Sequence, residues 1–225
     1  MYIEFISYIT DDIRATTNGA CLSAPDYISS RLYEFTYCGW FKRGSIHHVP
    51  FASWATSLHY NNFMIHNMES NMEGPFQVFL GSEVWSSDFS IDDDNWHHLC
   101  FIRTSSSAGT WEIYEDSVLV SSTEGIGVGG YIDTGGSFCN LAEQDSINGG
   151  FHDDEVYSGM TGMQYFYGYA LTAEQVNGLY DGTSIPDDWV FNFQDLLDGS
   201  DGEDHYSSAD ANFPLTKFTH VHTGK

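Results

Sequence analysis

The chain has 225 residues, of which 32 are acidic and 7 are basic, so its formal charge at neutral pH is −25. This length suits one large domain or two small ones, with a core that needs no disulfide for its stability. The negative charge argues against nucleic acid and anionic membranes as partners and makes cations the expected companions. Aromatic residues at 16% and 22 glycines indicate a folded body that carries its charge on the surface.

Apolar segments bounded by turn residues follow one another through the first half of the chain, which predicts a series of short strands. The predicted strands are Tyr2 to Ile9, Ala20 to Leu22, Glu34 to Lys42, Pro50 to Thr56, Asn62 to Ile65, Phe76 to Leu80, Glu83 to Trp85, Trp96 to Arg103, Trp111 to Tyr114 and Val118 to Val120. The strand at 34–42 carries large side chains on both faces, so we place it inside a sandwich.

One convincing helix begins at Leu171. Thr172 can cap it, Gln175 stands three residues later as the reciprocal partner, and Val176, Leu179 and Tyr180 form an apolar stripe. Many short strands with one late helix predict an all-β fold, a two-sheet antiparallel jelly-roll sandwich with one short helix near the C-terminal part.

The predicted jelly-roll domain covers residues 1–193 and ends in a strand at Trp189 to Phe193. Residues 194–225 are predicted to form an acidic loop and a C-terminal tail. That tail can add a strand either to this sheet or to the sheet edge of a neighbour.

No apolar run approaches the ~20 residues of a membrane span, so no membrane insertion is predicted. The N-terminus lacks the basic region and unbroken apolar stretch of a signal peptide, which leaves a mature secreted chain and a cytosolic protein open. The four cysteines Cys21, Cys38, Cys100 and Cys139 have no zinc-type spacing. They favour two disulfides in an oxidising compartment, with three pairings possible and four buried thiols as the alternative.

The segment from Leu141 to Glu155 carries acidic and amide side chains on both sides of a Gly-Gly break, which is typical of an oxygen-ligand loop for calcium. In an extended segment Glu143 and Asp145 point to the same side. Their repulsion at ~4 Å is roughly 4 kcal/mol near a protein surface, and a bound cation would remove it. Composition alone leaves a solvated acidic loop equally open.

A set of motifs, taken together and in order, resembles the pentraxin branch of the laminin-G-like and concanavalin-like jelly rolls. The motifs are Glu34-Phe35-Thr36-Tyr37-Cys38, Trp96-His97-His98-Leu99-Cys100, Gly109-Thr110-Trp111-Glu112-Ile113-Tyr114, Glu143-Gln144-Asp145-Ser146, Gly149-Gly150-Phe151 and Leu171-Thr172-Ala173-Glu174-Gln175. The resemblance runs from about residue 3 to 193. It implies a disulfide between Cys38 and Cys100, which leaves Cys21 and Cys139 for a second bridge.

The resemblance also implies a calcium site on one face of the sandwich. Position by position, its ligands fall on Asn61, Glu143, Gln144 through its backbone carbonyl, Asp145 and Glu155. Two family ligands are replaced, by Tyr60 and His152, and Asn62, Asp153 or Asp154 could compensate by a small shift. At least one calcium ion is therefore expected. The apolar pocket of the family falls near His66, so phosphocholine specificity is not supported.

Other groups of polar and aromatic residues give weaker evidence for a functional site. Adjacent histidines on a strand point to opposite faces, so neither His47-His48 nor His97-His98 can chelate one zinc ion. Jelly-roll glycosidases use Glu-x-Asp-x-x-Glu, and here the third acid is Asn148, so a proton donor is missing and no enzymatic activity is predicted. The acidic run at 92–95 is interpreted as a solvated turn. Trp40, Trp54, Trp96 and Trp111 are interpreted as core residues rather than a sugar-stacking platform.

The sequence thus leads to one principal expectation and one alternative. The principal expectation is a secreted, extracellular, calcium-binding, lectin-like protein that binds a polar or anionic ligand, such as a phosphate ester, carboxylate or sugar, through the metal and forms a homo-oligomer. The alternative is a structural or adhesive module that assembles into rings or filaments, with calcium rigidifying its contacts.

Overall fold

The structure, a computed structural model, describes residues 2–7, 20–25, 27–43, 49–67, 74–91, 93, 95–140, 147, 159–192, 206–208 and 216–221. Within these residues the chain forms fifteen strands and one helix. The strands are β1 (Tyr2–Ser7), β2 (Ala20–Pro25), β3 (Phe35–Arg43), β4 (Val49–Thr56), β5 (Phe63–Asn67), β6 (Phe76–Leu80), β7 (Glu83–Ser86), β8 (Trp96–Ser105), β9 (Thr110–Glu115), β10 (Val118–Thr123), β11 (Gly136–Asn140), β12 (Gly159–Tyr167), β13 (Phe191–Asn192), β14 (Tyr206–Ser208) and β15 (Thr216–Val221). The helix is α1 (Ala173–Asp181).

The strands make two antiparallel sheets. The larger sheet has the order β10-β9-β8-β3-β12-β1-β15, with β13 added beside β12, and the smaller sheet has the order β14-β2-β11-β4-β5-β6-β7. Within the described part of the chain, no helix is long and apolar enough to cross a bilayer. The predicted all-β jelly-roll sandwich with one short helix is confirmed.

The alternation of side chains along β3 explains how both faces of the larger sheet are covered. Phe35, Tyr37 and Phe41 point into the core between the sheets, where Phe41 meets Phe51 edge-on with ring centroids 4.7 Å apart. Each buried ring stabilises the fold by roughly 2–3 kcal/mol relative to an exposed one. The alternate residue Cys38 belongs instead to a second apolar cluster, on the outer face of this sheet.

Helix α1 covers that outer face. Thr172 and Gln175 form the predicted capping box, since Thr172 Oγ1 accepts from the Gln175 amide and Gln175 Oε1 accepts from the Thr172 amide. Val176 and Leu179 are buried against the cluster, and Tyr180 stacks on Trp40 with ring centroids 5.6 Å apart. Of the tryptophans predicted to be core residues, Trp54 and Trp111 are 1% exposed, whereas Trp40 and Trp96 are half-buried.

The predicted disulfide between Cys38 and Cys100 is present and joins directly opposite residues of β3 and β8. The second pair is placed differently, because Cys139 lies opposite Ser23, two residues beyond Cys21. Such diagonal Cα atoms are about 7–8 Å apart, which is longer than an unstrained disulfide allows. The register therefore disfavours a bridge between Cys21 and Cys139, and since the side chain of Cys21 lies outside the described part, that bridge stays a prediction.

Two strands that the sequence patterns did not predict complete the sheets. The glycines of β12, Gly159 and Gly162, resemble breaks, yet the strand pairs with β3 along most of its length. Strand β11 links β2 to β4. In the tail, β15 pairs with β1 over six positions and β14 pairs with β2.

Candidate functional site

The predicted calcium ligands are only partly covered by the structure. Asn61 is described, and it lies in the connection between β4 and β5. The other four predicted ligands lie outside the described residues, as do His152, Asp153, Asp154 and the pair His47-His48. Those four ligands are Glu143, Gln144, Asp145 and Glu155.

The loop that carries Asn61 has a defined turn. The amide of Thr56 donates to the carbonyl of His59 at 2.9 Å, and the amide of His59 donates to Thr56 Oγ1 at 3.1 Å. After this turn Asn61 adopts a left-handed conformation with φ of 51°, which asparagine tolerates better than other residues with a side chain. Tyr60, which the resemblance places at the position of a family acid, is 69% exposed.

Asn62 fastens the loop to two other segments. Its carbonyl accepts from the Gly81 amide at 3.0 Å. Its Oδ1 accepts from the Asp133 amide at 2.7 Å and its Nδ2 donates to the Tyr131 carbonyl at 3.4 Å. The 5% exposed side chain of Asn62 holds the segment 131–133, and its suggested shift toward a calcium ion stays a prediction that would require these bonds to change.

An open cleft of about 710 Å³ lies where these three segments meet. Leu58 and Tyr60 form one side, Phe79 and Val84 another, and Tyr131 a third. Among the described residues, the lining consists of Leu58, His59, Tyr60, Asn61, Asn62, Phe79, Leu80, Gly81, Ser82, Val84, Gly130 and Tyr131. The volume falls within the usual range of small-molecule sites, ~300–1,000 Å³.

The wall at Tyr131 is supported from behind. The guanidinium carbon of Arg31 lies 4.2 Å from the centre of the Tyr131 ring, and Arg31 Nε donates to Asp133 Oδ1 at 3.0 Å. This bond lowers the pKa of Asp133 below its usual range. Tyr33 packs against the same ring with centroids 5.4 Å apart. The Asp133 carbonyl also accepts from Trp54 Nε1 at 2.9 Å.

Arg103 anchors the backbone that leads into this wall. Its side chain is fully buried, and burial lowers the pKa of its guanidinium to about 10, with Glu34 opposing the shift. It donates to the carbonyls of Tyr33, Ile126, Gly127 and Gly130. The sequence patterns did not assign this role, although an arginine at the end of the apolar run Trp96 to Arg103 was a usable signal, since buried charges need partners.

His66, which the resemblance places near the apolar pocket of the family, is 1% exposed and lies opposite Gln77 on β6. It does not line the cleft. The apolar lining is instead provided by residues that the sequence did not single out as ligand contacts, among them Phe79 and Val84.

The paired histidines of β8 face opposite sides of the sheet, as predicted. His97 Nε2 lies 2.7 Å from an oxygen of Asp93 and Nδ1 lies 2.9 Å from an oxygen of Glu115. Because of that contact with His97 and bonds from Asn95, the pKa of Asp93 falls to about 2. The described acid of the run 92–95 is thus bonded within the protein, whereas the sequence predicted a solvated turn.

His98 lies on the other face, close to Cys38 and Cys100. In the described residues this trio is the single cluster with metal-ligand chemistry, but the disulfide occupies both sulfurs. His98 therefore cannot share a metal ion with these two cysteines while the disulfide is intact.

Residues 22–198 match the sequence model of the Pentaxin family. Human pentraxin-4 is 27% identical over 175 residues, which cover 76% of this chain and 36% of that protein. The rat neuronal pentraxin receptor is 30% identical over 155 residues, covering 68% of this chain and 30% of that protein. The chain therefore spans about a third of the length of these curated relatives.

Solved structures show the same fold. The native heptameric SAP-like pentraxin from Limulus polyphemus superposes with a TM-score of 0.64 at 22% identity, covering 80% of this chain and 82% of that one. A putative carbohydrate binding protein from Bacteroides ovatus has a TM-score of 0.55 at 12% identity, covering 79% of this chain and 47% of that one.

Proposed function

This chain belongs to the pentraxin family, and we propose that it is an extracellular, lectin-like recognition protein that binds a polar or anionic ligand through bound calcium. The observation that carries the proposal is the placement of Asn61. It is a predicted calcium ligand, and it lies on a fastened loop that lines an open cleft. A metal held there would have a ligand-sized space beside it.

The residues at this loop fit one calcium ion better than two. Asn61 offers an amide oxygen, which is a hard donor suited to calcium. Tyr60 stands where the family has an acid, and the Asn62 amide is used elsewhere. The negative charge of the site would come from Glu143, Asp145 and Glu155, with the carbonyl of Gln144, and calcium would relieve the repulsion between those carboxylates.

The extracellular location is supported by the disulfide between Cys38 and Cys100, since such bridges persist in oxidising compartments. We also propose a homo-oligomer. Family members form oligomers, and the Limulus pentraxin is heptameric.

Thermal unfolding with calcium and with a chelator tests the metal claim. At a calcium concentration about 100 times Kd, binding adds roughly 2.7 kcal/mol of stability, which in a domain of this size raises Tm by about 5–10 °C. The double variant Glu143→Gln/Asp145→Asn should lose this shift, whereas Glu112→Gln/Glu174→Gln should keep it. An unchanged Tm in the unaltered protein would sink the calcium claim.

One observation supports the alternative of a structural or adhesive module. Val118 and Leu119 are 62% and 48% exposed at the edge strand β10, where another chain can add. Light scattering on the intact protein, with and without calcium, distinguishes the two proposals. Filaments that grow with calcium would favour assembly as the function, a closed oligomer of fixed mass would favour recognition, and a monomer at every concentration would contradict both the assembly and the homo-oligomer.

A further inference from the structure

The outer face of the larger sheet holds three side chains that the proposed function does not use. Cys38 lies directly opposite Cys100 across β3 and β8, and His98 stands two residues before Cys100 on β8. Because side chains alternate along a strand, His98 and Cys100 point to the same face. The two sulfurs and one ring nitrogen of His98 lie within 4.8 Å of one another. Strand pairing, rather than spacing along the chain, thus brings two sulfurs and an imidazole together.

The His98 ring has a buried nitrogen without a bond. The residue is 2% exposed, and its Nδ1 has no hydrogen-bond partner among the residues that the structure describes. The neighbouring rings are those of Trp40 and Tyr180, with centroids 5.3 Å and 6.0 Å from the centroid of the imidazole. A buried polar atom without a partner is costly, so its presence indicates a redox role or a missing ligand.

The chemistry of this trio changes when the disulfide is reduced. As a disulfide, the two sulfurs carry no thiolate, which is the form that binds a metal ion. A dithiol reductant breaks the S–S bond by supplying two electrons and two protons, leaves one thiol on Cys38 and one on Cys100, and becomes a disulfide itself. A metal ion can then displace the two thiol protons. Two thiolates and one imidazole are a ligand set for zinc, with water in the fourth position.

The surroundings of the trio select for a thiophilic ion. Val176 and Leu179 of α1 pack with the two cysteines in one apolar cluster. Within the described part of the chain, no carboxylate joins the trio, so the hard oxygen ligands that calcium and magnesium require are not provided. Trp40 and Tyr180, which flank His98, are half-buried, so the trio lies nearest to solvent at this end of α1.

We propose that Cys38, His98 and Cys100 form a binding site for Zn²⁺ that becomes available when the disulfide is reduced. The disulfide and the zinc ion are alternative links between β3 and β8, the first for oxidising and the second for reducing conditions. A chain that has not yet been oxidised would have these two strands joined by the metal. The site uses none of the predicted calcium ligands, so its test is independent of the proposed function.

Cobalt and zinc binding before and after reduction tests the proposal. The protein is reduced with a phosphine, which takes the oxygen of a water molecule while the two protons pass to the sulfurs. The phosphine is removed without air, and metal is added in excess calcium. Reduced protein should bind about one Co²⁺ per chain with thiolate-to-cobalt charge-transfer absorption, and oxidised protein should show no such absorption. Zn²⁺ should displace Co²⁺ and, at ~100 times its Kd, raise the Tm of reduced protein by about 5–10 °C.

Two histidine variants of the same strand distinguish this site from other metal-binding groups. His98→Phe keeps both cysteines and an aromatic ring. It should weaken zinc binding to the reduced protein by about 100-fold or more, because the loss of an outer-shell partner alone costs about 10- to 100-fold. His97→Gln is the matched control, since His97 lies on the opposite face beside Asp93 and Glu115, and it should leave zinc affinity unchanged.

Three outcomes would overturn the proposal. They are equal metal binding by oxidised and reduced protein, cobalt absorption that His98→Phe leaves unchanged, and a reduced protein whose Tm zinc does not raise. If reduction unfolds the chain, recovery of its near-ultraviolet circular dichroism with Zn²⁺ would support the proposal, and zinc binding to a chain that stays unfolded would contradict it. The calcium-dependent Tm of the oxidised protein tests the proposed function separately.

Discussion

Cys38 and Cys100 lie directly opposite each other on β3 and β8, and their disulfide links two inner strands of the larger sheet beneath α1. The bridge closes a loop with a sequence separation of 62 residues, for which loop entropy gives about 4 kcal/mol of stabilisation. We expect Cys38→Ala/Cys100→Ala to lose roughly this amount in urea unfolding. Reduced unaltered protein should behave similarly, and a double variant within 1 kcal/mol of the oxidised protein would contradict the estimate.

Stability should decrease in mild acid because of His98. Its ring lies 5.3 Å from Trp40 and 6.0 Å from Tyr180, and burial lowers its pKa from 6.5 to about 4. Below pH 6.5 His98 takes up a proton in the unfolded chain but stays neutral in the folded protein. The folded protein therefore keeps its full stability above pH 6.5 and loses stability as the pH decreases toward 4. The total loss is on the order of 3 kcal/mol.

The replacement His98→Phe isolates this effect, because it keeps an aromatic ring at the position and removes the titration. The variant should show a flatter dependence of Tm on pH between 6.5 and 4. The pKa of Asp93 is lowered to about 2, so its stabilising contribution is lost only below about pH 3.8. It therefore does not affect the comparison between pH 6.5 and 4. Equal slopes for both proteins would argue against burial of neutral His98.

Asn61 allows its backbone and its amide to be tested separately. Asn61→Gly accommodates the left-handed φ of 51°, so without calcium it should be about 1 kcal/mol more stable than Asn61→Ala, which carries the strain of that φ. With calcium, both should lose part of the Tm increase, about 3–5 °C for each tenfold rise in Kd. A full increase in Asn61→Gly would exclude the amide as a ligand.

Two arginines on either side of the cleft wall should differ widely in their contribution to stability. Arg103→Met leaves buried carbonyl groups without a donor and should cost roughly 3–5 kcal/mol. Arg31→Met removes an exposed ion pair, with an Arg31 side chain 50% exposed, and should destabilise the protein far less than Arg103→Met. Urea unfolding of both variants measures the difference, and similar costs would show that Arg103 does not anchor residues 126–130.

The capping box should contribute measurably to the helix. Thr172→Ala removes the acceptor for the Gln175 amide and should destabilise the protein by about 1 kcal/mol. Asn177→Ala serves as the control, because its long 3.4 Å bond to exposed Asp181 should be worth only a few tenths of that. Chemical unfolding that fails to separate the two variants would contradict this ranking.

Local features of the fold were predictable because their determinants are close together in sequence. The capping box needs only Thr172 and Gln175, and most strands are predicted by the alternation of apolar and polar residues along the segment. Strand β12 was missed because Gly159 and Gly162 weaken its pattern, and its place is decided by pairing with β3 and β1. Register with distant strands is not encoded in a local period of two.

The candidate site also has features that the sequence predicts and features that depend on residues far apart in the chain. Its position at Asn61 followed from the resemblance, whereas the roles of Asn62 and Arg103 depend on residues about 70 and 24–27 positions away in the chain. No sequence spacing indicates that Phe79, Val84 and Tyr131 meet, and the composition of the resulting cleft could not be read beforehand.

By itself the sequence determined the jelly-roll class, the helix and its cap, the partners of one disulfide, and the region of the candidate metal site, because each depends on local pattern or on ordered motifs. Only the tertiary structure decided that Asn62 bonds the loop at Asn61 to residues 131–133. It also decided that a buried arginine supports the wall of the cleft beside Asn61. The physical reason is that surfaces are assembled by long-range packing, which brings together side chains that no local interaction relates.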